Sequence, residues 1–237
     1  MRIPNLRRGL FLCLMLVAAV VFCGQAWERL QGQLYYLRLE QLKAQWQAGS
    51  HVPHDRELNE GFTLGYTASE HQRDDSDYRY LLASLHAWRE RGLRLWPQQA
   101  AAENKKVEEN LKAALVRRPS WFEAWILLAL VKFQANEVDH EMNVALEKSI
   151  ETGQFETTVH HGLSYVGLRV WDRLGPRLQK SIVETLDIAL DNRDVRKFVV
   201  EQIVVTGRVE LFRDKLESDE ELAKLTNRFL EKRNKSL

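Results

Sequence analysis

Hydrophobic positions divide the chain into an apolar N-terminal run and a series of amphipathic segments. After three arginines in the first eight residues, the run Gly9–Gly24 carries no charge, and Trp27 follows shortly after it. Basic residues before an apolar run, with an aromatic residue at its far edge, are typical of a membrane-spanning helix whose N-terminus is cytoplasmic. The pattern therefore predicts a transmembrane anchor in residues 1–26 that contacts the membrane through residues 9–27.

A cleaved signal peptide is the alternative interpretation of this run, since Gly24-Gln25-Ala26 has the small-x-small pattern of a cleavage site. Apolar residues continue at helical spacing beyond that site and predict an amphipathic stalk helix over residues 27–48. This continuity favours the uncleaved anchor. The stalk has two apolar rows, Trp27, Leu30, Leu34 and Leu37, and Tyr35, Leu39, Leu42 and Trp46. They allow a homo-oligomer through the stalk or contact with a partner's transmembrane helix.

The remaining chain divides into a polar stretch and a helical domain. Residues 49–75 are rich in Gly, Ser, Pro, His and charge, which predicts a linker or loop. Over residues 76–237, apolar residues recur at three and four, which predicts successive helices and an all-α domain. Residues 197–212 also contain many β-branched residues typical of a hairpin, but a helix ending at Gly207 is preferred.

Capping signals give the predicted helix boundaries. Ser120 with Glu123, and Ser218 with Glu221, have the spacing of capping boxes, in which side chains and backbone N–H groups satisfy each other. Asp139 is a predicted N-cap, and Gly153 is the predicted end of the helix that follows it.

One junction is typical of helical repeats. Ala114 and Pro119 have the spacing at which a tetratricopeptide repeat ends, and Trp125, Leu128 and Ala129 follow where the next repeat would open. No 34-residue period persists. The sequence therefore predicts a repeat-like helical pair within a stacked, α-solenoid type of domain.

Charge and cysteine content exclude several classes of protein. The 237 residues include 34 Lys+Arg and 33 Asp+Glu, so the chain lacks the basic excess of a nucleic-acid-binding protein. With 45% hydrophobic and 28% charged residues, the chain is neither disordered nor a multi-pass membrane protein. Both cysteines, Cys13 and Cys23, lie in the anchor, so packing alone must hold the exported domain.

The sequence contains no recognisable catalytic or metal-binding motif. His51 and His54 are three residues apart without a third ligand, and the adjacent His160 and His161 point about 100° apart on a helix. The stretch Gly162–Val166 has valine in place of the second glycine of a nucleophile elbow. We therefore predict no catalytic residues, no metal ligands and no cofactor.

Trp121 is the one candidate contact residue. Aromatic faces bind both peptides and glycans, and Trp121, Trp125 and Trp171 could line a groove. Trp125 is more simply explained as packing within the most apolar helix. Trp121 lies in the first turn of that helix, where contact with a partner or a glycan is as reasonable as packing.

The region from Leu111 to about Leu211 resembles a known family. The residues that carry the resemblance are Leu111, Ala113-Ala114-Leu115, Arg118-Pro119, Trp121, Ala124-Trp125, Leu128-Ala129-Leu130, Gly167-Leu168, Trp171-Asp172 and Gly207-Arg208. In this order they are similar to the VpsP-type polysaccharide biosynthesis proteins, accessory proteins of bacterial exopolysaccharide systems. The resemblance implies a role in producing or exporting an extracellular polysaccharide, with no known reaction and no catalytic residues.

The expected function is therefore that of a non-catalytic adaptor. It would be a single-pass protein of the bacterial inner membrane, with its bulk in the periplasm. Its partners would be inner-membrane or periplasmic proteins of polysaccharide assembly, and no nucleic acid. The alternatives are a periplasmic glycan-acting enzyme such as a lyase or hydrolase, a glycan-binding module, and an adaptor of another envelope assembly system.

Overall fold

A computed structural model describes residues 4–48, 53–72, 75–92 and 97–236 of the chain. The described residues form helices joined by turns and contain no strand, which confirms the all-α prediction. The chain divides into two compact units, residues 1–103 and residues 104–237.

Three helices make up most of the first unit. Helix α1 spans Pro4–Ala48, α2 spans Asp55–His71 and α3 spans Ser76–Gly92. The C-terminal half of α1 packs with α2 and α3 around a core of eight buried side chains: Leu39, Trp46, Leu58, Phe62, Leu64, Leu81, Leu82 and Leu85. The predicted stalk is therefore one wall of a three-helix unit.

Helix α2 corrects the predicted linker or loop over residues 49–75. The glycines that suggested a loop face the core: a Cβ at Gly61 would lie 3.0 Å from the Trp46 ring, and one at Gly65 would lie 2.9 Å from Leu82. Glycine at these positions lets α2 approach its neighbours closely. The helix starts where the His54 backbone N–H donates to the Glu57 carboxylate. Residues 49–52, 73 and 74 lie outside the described part.

The second unit is built from shorter helices. Helix α4 spans Pro97–Arg117, and its residues from Asn104 onward belong to this unit. The helices that follow are α5 (Phe122–Gln134), α6 (His140–Gly153), α7 (Thr157–Gly162), α8 (Pro176–Asp191), α9 (Arg196–Val205), α10 (Arg213–Ser218) and α11 (Glu220–Ser236). A π-helical turn, Leu163–Gly167, continues α7, and 3₁₀ turns cover Trp171–Arg173 and Val209–Phe212.

Some predicted boundaries are confirmed and two are wrong. Asp139 caps α6 by accepting a hydrogen bond from the Met142 N–H, and α6 ends at Gly153. The ambiguous segment is helical and turns at Gly207, whose φ of +71° favours glycine.

Both predicted capping boxes are displaced by one residue. Trp121, not Ser120, is the N-cap of α5, and it makes no side-chain capping bond. Asp219, not Ser218, caps α11 by accepting from the N–H groups of Glu221 and Leu222. In that position Asp219 presents a carboxylate to two free N–H groups, whereas the Ser218 hydroxyl donates back to the Lys215 carbonyl.

Candidate interaction surface

Helix α1 carries the largest exposed apolar surface of the described chain. It is the one described helix that is long and apolar enough to cross a membrane, with a mean hydropathy of 2.3 over its most apolar 18-residue window. None of that window is buried by the rest of the chain. A signal sequence near the N-terminus meets the same criteria of length and apolar composition.

The two apolar rows of the predicted stalk have different surroundings. Leu39 and Trp46 are buried against α2 and α3. The other row remains exposed, at 60% for Trp27, 51% for Leu30, 57% for Leu34 and 48% for Leu37. One row thus builds the unit, and the second is left without cover from the described residues of that unit.

Trp121 lies at the junction between α4 and α5. It is half-buried, and the Arg118 guanidinium lies 4.5 Å from the centre of its ring. A cation above an indole face is attractive and fixes the orientation of both groups. The Trp121 ring is therefore partly accessible and held beside a cation, and its role in contact with a partner or a glycan stays a prediction.

Two other aromatic side chains lie at this end of the α5–α6 pair. Helices α5 and α6 are antiparallel, and Phe122 at the start of α5 packs so closely on Gly153 at the end of α6 that a Cβ there would lie 2.6 Å away. Phe155, two residues further on, is 67% exposed. We call Trp121, Phe122 and Phe155 the aromatic end of the α5–α6 pair.

The other two candidate tryptophans have structural contacts. The Trp125 indole N–H donates to the Pro119 carbonyl at 2.7 Å, which holds the turn before α5. The Trp171 carbonyl accepts from the Gln179 amide at 2.8 Å, which joins a 3₁₀ turn to α8. Both side chains are half-buried. Trp121 and Trp125 share the start of α5, and Trp171 lies on a separate element.

A buried lysine at the opposite end of the α5–α6 pair was missed by sequence reasoning. Lys132 is 3% exposed, and its Nζ lies 2.9 Å from Asp139, 3.0 Å from Glu137 and 3.0 Å from Glu141. Glu108 of α4 is 3.9 Å away, and Lys112 bridges Glu108 and Glu141 at 2.6 and 2.7 Å. The signal in the sequence was the single basic residue within WFEAWILLALVKF. We call this group the Lys132 centre.

Electrostatics favour the charged forms of Lys132, Asp139 and Glu141. Burial lowers the pKa of Lys132, but its hydrogen bonds to Asp139, Glu137 and Glu141 outweigh burial and raise that pKa. Burial raises the pKa of Asp139, but the Met142 N–H and Lys132 outweigh it and lower that pKa. The pKa of Glu141 is lowered by its two lysines against the same burial effect. The centre is therefore an ion cluster that ties α4, α5 and α6 together.

The first unit contains a second buried polar group, also missed from the sequence. His86 is buried; its Nδ1 lies 2.5 Å from Glu103 Oε2, and its Nε2 lies 3.1 Å from the Tyr66 hydroxyl. The Phe62 ring covers the imidazole at 4.5 Å. We call Tyr66, His86 and Glu103 the His86 centre. Its order of hydroxyl, imidazole and carboxylate is the order that polarises a hydroxyl in enzymes.

The histidines considered from the sequence have other contacts. His160 is buried with its Nε2 2.8 Å from the Gln154 carbonyl, and burial lowers its pKa. His161 is exposed and packs edge-on against Phe198. His54 precedes α2, and His51 lies outside the described residues. Over the described ranges, no group of three His, Cys, Asp or Glu side chains is placed to hold a metal ion.

The stretch Gly162–Val166 lies at the α7 to π-helix transition, as expected for a helix and not for a nucleophile elbow. The Ser164 hydroxyl is buried and donates to the His161 carbonyl at 3.1 Å. A Cβ at Gly162 would lie 2.1 Å from Ile126. This glycine therefore lets α7 pack against α5.

A charged groove runs between α9 and α11. It has a volume of about 490 Å³ and an open mouth. Its lining contains four cationic, two acidic and one aromatic side chain: Lys197, Arg228, Lys232, Lys235, Glu201, Glu231 and Phe229. The mixture of charges is typical of a hydrated surface and singles out no ligand.

In comparisons with known proteins, no family model and no curated protein matches the chain.

Proposed function

We propose that this protein is a membrane-anchored, non-catalytic adaptor that presents a helical surface in the periplasm for exopolysaccharide assembly. The observation that carries the proposal is the continuity of α1, which runs unbroken from its exposed apolar segment into the core of the first unit. A helix that belongs to both parts would hold the folded domain at the membrane surface and confine its search for partners to two dimensions.

The orientation of the anchor follows from charge. The arginines at the start of the chain favour a cytoplasmic N-terminus, so the bulk of the chain lies in the periplasm of a bacterial inner membrane. Cleavage after Ala26 would release a domain with Trp27, Leu30 and Leu34 exposed to water. An exposed apolar row of this kind favours retention of the anchor.

The adaptor surface is assigned to the aromatic end of the α5–α6 pair. An oriented half-buried indole and an exposed phenylalanine offer the type of anchor that protein interfaces concentrate. The antiparallel pair itself is compatible with a tetratricopeptide-like arrangement, which binds peptides and partner helices. The process is suggested by the resemblance of residues 111–211 to the VpsP-type proteins, and the partners would be inner-membrane or periplasmic proteins of that machinery.

Secreted polysaccharide in a deletion strain tests the proposal. The strain is complemented with the full chain, or with residues 27–237 behind a cleavable signal. We expect polysaccharide to fall on deletion and only the anchored form to restore it. Rescue by the soluble form would reduce α1 to an export signal, and unchanged polysaccharide would contradict the assigned process and favour another envelope assembly system.

Substitution at the aromatic end tests the surface. Phe155→Ala and Trp121→Ala should each reduce rescue at unchanged protein level, because they remove apolar contact area. Val205→Ala is the matched control, since Val205 is also strongly exposed but lies at the end of α9. Thermal unfolding separates lost contact from lost folding for Trp121. Full rescue by both variants would contradict the assignment.

The His86 centre supports a second candidate function, a glycan-acting enzyme. The Tyr66 hydroxyl is held 3.1 Å from the His86 imidazole, and tyrosine serves as a general acid or base when so polarised. In a lyase reaction Tyr66 would pass its hydroxyl proton to His86 Nε2, and the phenolate would take the proton from C5 of a uronate. The C4–O glycosidic bond would break as the C4=C5 double bond forms, and the leaving oxygen would take the proton back from Tyr66, which gives an unsaturated sugar and a free hydroxyl. Purified full chain in detergent, incubated with an acidic polysaccharide, should then form unsaturated product that Tyr66→Phe abolishes; absence of product excludes this reaction class.

A further inference from the structure

We propose that the exposed face of α1 is the contact between two copies of this chain, which associate as a parallel dimer in the membrane. This inference rests on the proposed anchoring of α1 and names the occupant of its exposed apolar row. The occupant follows from the spacing of the row, its position relative to the core, the charge along its edges and the orientation of the helix.

The exposed row has the spacing of a coiled-coil contact. Trp27, Leu30, Leu34 and Leu37 alternate at intervals of three and four, which keeps residues on one side of a supercoiled helix. The same alternation extends back through the anchor without a break. We call the whole set the seam: Cys13, Leu16, Val20, Cys23, Trp27, Leu30, Leu34 and Leu37.

The core of the first unit lies on the opposite side of α1. Gly32, Leu39 and Trp46 recur every seven residues, and all three are buried against α2 and α3. In the heptad that places the seam at a and d, these residues occupy f, the position farthest from the contact. The folded unit therefore leaves the seam accessible along its length.

Lipid can cover only part of the seam. The charge-free run Gly9–Trp27 contains 19 residues. In a helix it extends about 28 Å, close to the thickness of a hydrocarbon core. Leu37 lies ten residues further, about 15 Å beyond Trp27. The side chains of Leu34 and Leu37 thus lie outside the hydrocarbon region and gain from burial against protein.

A second copy is the partner that this geometry fits best. Two copies anchored by α1 necessarily enter the membrane with the same orientation, so each seam residue meets its own counterpart. The edge positions carry no like charges that would oppose parallel pairing: Gln33 of one copy faces Arg38 of the other, and Glu40 faces Gln45. Within each chain, Arg38 also has Glu60 at 3.7 Å.

Cysteine cross-linking in membranes tests the dimer. The full chain is expressed with Cys13→Ser, and copper phenanthroline is the oxidant that takes two electrons and two protons from each pair of Cys23 thiols. We expect a disulfide-linked species of twice the monomer mass. The matched control carries Cys13→Ser, Cys23→Ser and Phe22→Cys, which moves the thiol by one residue to position c, where Phe22 is exposed as Cys23 is.

A second matched pair examines the seam outside the bilayer. In a chain without Cys13 and Cys23, Leu34→Cys should cross-link several-fold more than Tyr35→Cys, because Tyr35 lies one residue away off the seam. Leu34→Asp should lower cross-linking through Cys23 several-fold, since it places two carboxylates face to face.

The outcomes separate the dimer from the anchor. Carbonate extraction of the same membranes shows whether the chain is integral; release of the chain would overturn the anchoring itself. An integral chain whose seam and off-seam cysteines cross-link equally, or not at all, would overturn the dimer alone. Cross-linking of seam cysteines to a protein of different mass would overturn the assignment of a second copy and identify the seam as a docking site for a partner helix.

Discussion

Each of the two units buries an ionisable side chain against carboxylate partners, Lys132 in one and His86 in the other, but the two side chains are satisfied in different ways. Lys132 is enclosed while its carboxylate partners remain partly hydrated, between 25% and 52% exposed. His86 and Glu103 are both buried, and only Tyr66 reaches the surface. A lysine therefore lies within an apolar helix at low cost because its counter-charges stay in contact with water. The histidine instead contacts the buried Glu103 and the half-exposed Tyr66.

Loss of the buried cation is the largest effect expected. Lys132→Met keeps the aliphatic volume but leaves four carboxylates facing one another around an apolar side chain. We expect the free energy of unfolding of the second unit to fall by about 3 kcal/mol at neutral pH, the lower end for breaking a buried ion pair, since these carboxylates are partly hydrated. Denaturant unfolding of the full chain in detergent, with hydrogen exchange in α5 and α6, measures it.

Lys148→Met is the control for this variant. Lys148 pairs with Glu151 at 2.6 Å, but both side chains are about half exposed, so its loss should change stability little. Equal effects of the two substitutions would contradict the importance of burial at Lys132.

The same variant predicts a pH dependence with a definite sign. The lowered pKa values of Asp139 and Glu141 stabilise the fold above their ordinary values of 3.8 and 4.5, and this contribution disappears as the pH falls through the lower folded values. The raised pKa of Lys132 stabilises the fold below its ordinary 10.5 and is lost only at more alkaline pH. The difference between wild type and Lys132→Met should therefore be constant from about pH 6 to pH 9 and shrink in acid.

How far the sequence predicted these units depends on which residues carry the pattern. Helices of the second unit were predicted well because leucine, valine and isoleucine mark their inner faces, as at Leu111 and Leu178, both of which are buried. Helix α2 was missed because two of its core positions are Gly61 and Gly65. Glycine is typical of loops in a sequence, yet here it permits close helix packing.

The contact role of Trp121 stays a prediction, and neither polar centre was predicted from the sequence. The Lys132 centre was missed although Glu137 and Glu141 follow Lys132 within nine residues. The His86 centre was missed because its partners are far apart in the sequence. Glu103 lies seventeen residues from His86, on a different helix. No local spacing relates such residues, so only the packing of α2, α3 and α4 could reveal them.

The His86 centre should respond to substitution in a graded way. Glu103→Leu removes a buried acceptor 2.5 Å from the imidazole, and we expect a loss of about 2 kcal/mol in the stability of the first unit. Tyr66→Phe should cost about 1 kcal/mol or less, because Tyr66 is 46% exposed and water can replace its hydroxyl. Hydrogen exchange in α2 and α3 resolves the order. A larger effect of Tyr66→Phe would show that the hydroxyl, and not the carboxylate, fixes His86.

The smallest expected effect is that of replacing a capping aspartate by asparagine. It distinguishes the contribution of helix capping from that of the carboxylate charge at the Lys132 centre. Asp139 and Asp219 both cap a helix, but only Asp139 also contacts a buried cation. Asparagine keeps the capping oxygen in each case. Asp139→Asn should therefore lower stability by about 1 kcal/mol through lost contact with Lys132, whereas Asp219→Asn, at an exposed cap without a buried cation beside it, should change it less. Thermal unfolding of the two variants side by side measures the difference. Equal losses would mean that the carboxylate charge acts through the helix end alone, and that Lys132 is satisfied by Glu137 and Glu141 without Asp139.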